Sequence, residues 1–204
     1  MNRKRNVSAI GPNYEVGDIV DVGVPYSVQV HVRGTSDLLF HRWSCDENEE
    51  GNRKRKGSKK FPEPDTFLYR DEKNEICIPS EHFRQAVIHA AKYRKDPRSS
   101  RKSLRDVCQA GIICEEPQLI PLGKDKPDYY HKCRVNIQRN SITRIRPAFL
   151  KGWECKIVFT ILLSEYISEE LFNEILIDAG RLCGVGDFRP TYGRFQVIQF
   201  KKIN

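Results

Sequence analysis

Apolar residues fall on every second position at Tyr26, Val28, Val30 and Val32, and again at Trp153, Cys155, Ile157, Phe159, Ile161 and Leu163. Between and after these runs the period becomes that of a helix. Side chains alternate across a strand and return to one face of a helix about every 3.6 residues, so the period identifies the element. Residues 24–33 read as a half-buried strand with Ser27, Gln29, His31 and Arg33 on its polar face, closed by Gly34. Pro79-Ser80-Glu81 opens a helix that runs to about Tyr93, with Phe83, Val87, Ala90 and Ala91 on its apolar stripe. Residues 112–122 read as an edge strand interrupted by Pro117. Ser168 caps a further helix with two acids in its first turn and the stripe Leu171, Phe172, Ile175, Leu176, Ala179 and Leu182. Residues 195–200 form the last strand.

The long elements thus run strand, helix, strand, strand, helix, strand. This is the order of a ferredoxin-like, split βαβ core in the α+β class, with another α+β arrangement of the same order as the alternative. At 204 residues the chain has room for one core that carries insertions, and residues 1–204 are read as a single domain. Residues 1–17 are a polar lead-in. Residues 44–66 hold acids, glycines, prolines and a lysine-rich centre, too little apolar surface to offset ordering, and read as a mobile insertion. A short hairpin joins residues 66–69 to 75–78, and residues 103–110 read as a short helix. Residues 131–147 form a basic hairpin that protrudes, with a turn at Arg139-Asn140-Ser141. Its apolar face holds Cys133, Val135 and Ile137. Its polar face holds Lys132, Arg134, Asn136 and Gln138 together with Arg144 and Arg146 of the return strand.

Lys and Arg exceed Asp and Glu by 35 to 27, a net charge of +8, which favours an anionic partner. The excess is concentrated. Residues 53–60 carry six basic groups and no acid, residues 84–105 carry eight against one, and residues 132–151 carry six against none. Arg84, Lys92 and Lys95 line up on one face of the first helix. Phosphate contacts give affinity without sequence preference, and aromatic side chains beside them offer stacking platforms for unpaired bases. No apolar run is long enough for a membrane span and the N-terminus lacks a signal h-region, so a soluble, cytoplasmic protein without membrane contact is expected. The seven cysteines include no CxxC pair, which speaks against a structural zinc site and for reduced core residues.

The segment Gly184-Val185-Gly186-Asp187-Phe188-Arg189-Pro190-Thr191-Tyr192-Gly193-Arg194-Phe195 separates the last helix from the last strand. Glycine allows a backbone to approach a ligand, and arginine offers a planar fork suited to phosphate. Gly184, Gly186, Arg189, Tyr192, Gly193 and Arg194 are therefore candidate nucleic-acid contacts, with a helix cap and tight turn as the structural alternative. Arg189 and Arg194 flank a turn able to bring both to one side. Catalytic signals are weak: the five histidines lack a metal-ligand spacing, and Asp187 and His41 are the acid/base candidates. No catalytic set, metal site or cofactor is assigned.

With its split βαβ order, lysine-rich insertion, basic hairpin and terminal loop GVGDFRPTYGRF, the chain resembles the RAMP superfamily of CRISPR-associated proteins, in particular their RNA-binding backbone subunits, and small phage-associated relatives. The resemblance spans about residues 24–200 as a pattern, and only the terminal loop is motif-like. It implies an RRM/RAMP-like core that grips RNA through sheet-face residues, a glycine loop and an inserted hairpin, and that stacks head to tail along the strand. The loop role falls to Gly184, Gly186, Arg189, Gly193 and Arg194, and the hairpin role to Arg134, Arg139, Arg144 and Arg146. The chain is short for a backbone subunit, its loop is more polar than the family's, and Asp37 is a poor match for the aspartate that cuts target RNA in some members.

The function expected is non-catalytic binding of single-stranded nucleic acid, RNA before DNA, in a homo-oligomer or larger ribonucleoprotein. The alternatives are a metal-independent RNA endonuclease of the same fold and a phage-type interaction protein that blocks a host nucleic-acid machine.

Overall fold

A computed structural model describes residues 23–43 and 63–203, apart from residues 97, 100, 116, 138 and 139. Most of the expected insertion (residues 44–62), the polar lead-in, Cys45 and Arg139 lie outside the described residues.

The valines that alternate in sequence are fully buried in β1 (Tyr26–Gly34). Burial of each contributes about 1.5–3 kcal/mol. Cys155, Ile157, Phe159 and Ile161 do the same in β9 (Glu154–Ile161). β1 pairs antiparallel with β9 on one side and with β10 (Phe195–Lys202) on the other. β5 (Ile112–Cys114) joins the far edge of β9, which gives a four-stranded antiparallel sheet of order β10-β1-β9-β5. Helices α1 (Ser80–Ala91) and α3 (Glu169–Asp178) contribute Phe83, Val87, Phe172, Ile175 and Leu176 to the core shared with this sheet. Ser168 caps α3 through its hydroxyl, which accepts from Leu171 N–H at 3.3 Å. At the β1–β9 corner Gly34 is required by contact: a Cβ there would lie 2.1 Å from Trp153 Nε1.

Two further three-stranded sheets flank this core. β3 (Tyr69–Arg70), β4 (Ile76–Pro79) and β6 (Leu119–Pro121) form one, so the strand expected over residues 112–122 is two short strands in different sheets. Pro117 lacks the N–H a continuous ladder needs, and the chain changes sheets around it. The second holds β2 (Leu38–Leu39), β8 (Asn140–Phe149) and β7 (Tyr129–Ile137). Residues 63–66 of the expected insertion are described: they enter the short turn Pro64–Phe67, where Phe67 C=O accepts from Arg42 N–H at 2.9 Å.

The register corrects the expected faces of the hairpin. Directly opposed residues share a face, and Cys133 opposes Arg144 while His131 opposes Arg146. Both arginines of the return strand therefore stand on the Cys133 side, and Arg134, opposite Thr143, stands on the other. Asn140 and Ser141 of the expected turn already stand in β8, where they pair with Ile137 and Asn136.

A second correction concerns α3. Residues Ala179–Cys183 continue it as a π-turn, whose wider spacing shifts the buried stripe. Ala179 stays buried, but Leu182 is turned out and 44% exposed. The helix α2 (Arg105–Gly111) stands where residues 103–110 were expected to be helical. Among the described residues no helix is long and apolar enough to cross a membrane.

Candidate nucleic-acid interface

The loop after the π-turn is built on backbone geometry reserved for glycine. Gly184 ends the helix at φ +71°, its N–H reaching Ala179 C=O at 2.9 Å. Gly193, at φ +74°, packs so tightly that a Cβ would lie 1.7 Å from Val185 O. Gly186, at φ +78°, lies against Leu38 and Leu39. Asp187 N–H donates to Leu39 C=O at 2.8 Å and Gly193 N–H to Asp37 C=O at 2.7 Å, so the loop is laid onto the segment around β2. These glycines serve the chain's own close packing.

The loop also closes over the base of the hairpin. Arg146 is 2% exposed, with Nε 2.5 Å from Asp187 Oδ2 and a second N–H donating to Cys133 Sγ at 3.2 Å. Burial raises the Asp187 pKa, but the hydrogen bond and charge of Arg146 outweigh it and hold the carboxylate below its ordinary range. Asp187 is therefore a structural partner, and Arg146 is withdrawn from any phosphate role. Asp37 is engaged as well: Oδ2 accepts from Tyr129 O–H at 2.7 Å and Oδ1 from Lys151 N–H at 2.8 Å.

Beside this ion pair stand three rings. Phe188 lies 5.8 Å from Tyr192 and 6.4 Å from His131, and the Arg146 guanidinium sits 5.3 Å from the Phe188 centroid. Tyr192 Oη and His131 Nε2 are 3.1 Å apart, which links loop to hairpin. Phe188 adopts φ +59°, left-handed backbone that strains a residue other than glycine by about 1–3 kcal/mol, and its ring is 43% exposed. Exposed Arg189 follows it in the loop, and half-buried Arg144 stands on the same hairpin face as Arg146, one step nearer the tip. Arg189 opens onto a hollow of about 540 Å³ shared with His89, Lys92 and Tyr93.

The remaining candidates are dispersed. Arg84 is consumed by the fold: Nε and a terminal nitrogen donate to Ile112 and Gln109 carbonyls, each at 2.7 Å, and a third N–H to Glu81. Lys95 pairs with Ser103 and faces a separate hollow beside Leu104 and Leu171. Arg134 is exposed on the reverse of the hairpin. Arg189 and Arg194 do not come to one side: Arg194 donates from Nε to Pro190 C=O at 2.8 Å and lines a different hollow, with Thr35, Ile177 and Arg181.

His131 and Phe188 were not singled out as contacts from sequence. His131 enters only through the β7–β8 register, and nothing local announces a left-handed phenylalanine. The open face of the four-stranded sheet carries Ser27, Gln29, His31 and Arg33 on β1 and Glu154, Lys156, Val158 and Thr160 on β9, with Glu154 paired to both His31 and Arg33. No phenylalanine, tyrosine or tryptophan stands there, so that part of the face offers no stacking ring. Burial pushes the thiols of Cys108 and Cys114 up to about 12. Among the described residues no group of three or more His, Cys, Asp or Glu side chains is placed to hold a metal.

No family model and no curated protein matches the chain. Among solved structures, the chain is similar in fold to a chain of a Type III-B Cmr-beta complex bound to cognate target RNA, at a TM-score of 0.54 and 10% identity. The alignment covers 88% of this chain and 61% of that one, so this chain spans less than two thirds of its neighbour.

Proposed function

We propose that this chain is a non-catalytic, RAMP-like module with a ferredoxin-like core that binds single-stranded RNA and works within a ribonucleoprotein assembly. The observation that carries the reading is the platform of Phe188, Tyr192 and His131, set beside the ion pair of buried Arg146 with half-buried Asp187, with Arg189 and Lys92 in the adjoining hollow and Arg144 on the same hairpin face as Arg146. Rings with free faces stack any unpaired base, and cations beside them meet the flanking phosphates. Two supports stand beside it. The sheet order β10-β1-β9-β5 places the last core strand next to the first, as a split βαβ core requires. The fold neighbour belongs to a complex bound to RNA.

The test is anisotropy of labelled decauridylate with the wild type and Phe188→Gly. Glycine removes the ring and relaxes the left-handed backbone, so stability should hold or rise. Loss of one stacked base should weaken binding by about 5- to 150-fold, from stacking worth roughly 1–3 kcal/mol per base. Unchanged affinity removes the platform from the account, and shortening of the RNA during the titration favours the endonuclease alternative.

A further inference from the structure

The hollow under Arg189 carries more positive charge than an internal phosphodiester needs. Arg189 and Lys92 both line it, and His89 stands on its wall. Among the described residues neither cation meets a carboxylate in an ion pair. The one acid on the wall, Asp187, is already paired with Arg146. Three cations act on His89 together: after burial, the charges of Arg189, Lys92 and Arg105 push its pKa down, as expected where positive groups converge on a point without an anion. A phosphodiester brings one negative charge, whereas a phosphomonoester brings about 1.5–2 near pH 7 with three acceptor oxygens. The hollow also offers rings for the attached nucleoside: Phe188 is shared with the platform, and Tyr93 is 60% exposed, with Lys92 Nζ 4.7 Å from its centroid over one face.

From this convergence we infer that the hollow seats the terminal phosphate of a nucleic-acid strand, held by Arg189 and Lys92 with the end nucleoside against Tyr93. The inference rests on the strand-binding reading above and gives it a polarity: the chain holds an end, and the strand leaves over Phe188 toward Arg144.

Calorimetric titration of the full chain with decauridylate bearing a 5′-phosphate, a 3′-phosphate or hydroxyls at both ends tests this. One phosphorylated form should bind at least about tenfold more tightly than the hydroxyl form, as expected for one charge-assisted contact set. In Lys92→Ala/Arg189→Ala that preference should fall below about threefold, because both charge-assisted contacts are gone. Both side chains are exposed, so the variant should fold, which circular dichroism checks. Equal affinity for all three strands overturns the end seat and leaves strand binding standing. Failure of all three to bind overturns both.

Discussion

Arg146 decides how the charged residues of this chain are to be read. A guanidinium buried to 2% beside Asp187 is a fold element, and removing its partner leaves a charge stranded in a low-dielectric site. Asp187→Ala should therefore destabilise the chain by about 3–5 kcal/mol, whereas Arg146→Met/Asp187→Leu should recover most of that loss. Urea denaturation of both variants measures the difference. His82 makes a second case. Burial first, then the charge of Arg189, lowers its pKa from 6.5 to about 4, and its Nδ1 lies buried without a hydrogen-bond partner among the described residues. Between those values the unfolded chain binds the proton that the folded chain refuses. Stability should fall as pH drops from about 6.5 to about 4, by at most about 1.4 kcal/mol per pH unit, and His82→Phe should flatten that slope. Sequence displays such residues but not their engagement. Arg84, Arg94, Arg98 and Arg146 counted as basic surface, yet each is tied to an acid, and Arg84 to backbone carbonyls besides.

At the scale of elements, what was legible is what periodicity encodes. The alternation in β1 and β9 and the stripes of α1 and most of α3 were readable because each reports burial on one face. The miss at Leu182 came from a π-turn, which adds a residue to the helical spacing without a local signature. The hairpin faces were misread because composition does not give register. The glycines allow a direct comparison. Gly152 has φ +97° and open space, with nothing within 4 Å of where a Cβ would stand, so Gly152→Ala should cost about 1–2 kcal/mol from backbone conformation alone. Gly193→Ala adds a clash with Val185 O and should cost on the order of 3–4 kcal/mol, read as the difference in urea midpoints.

For the molecule as a whole, the order of elements was visible in the chain, and the expected split βαβ order implied that the last strand would lie beside the first; that the loop would close over the hairpin was not visible. That contact assembles rings and cations that no single stretch contains. Net charge alone would be met by any basic surface. The central claim is narrower: a strand lies over Phe188 with its phosphates at Lys92, Arg144 and Arg189. Two phosphates neutralised on a single strand, one by Lys92 with Arg189 and one by Arg144, give a slope of about −1.4 in log affinity against log salt. Decauridylate affinity should therefore fall roughly 7-fold between about 50 and 200 mM salt, and the Lys92→Ala/Arg144→Ala/Arg189→Ala variant should lose most of that dependence. A change of less than about threefold in the wild type, or an unaltered slope in the triple variant, would contradict the account.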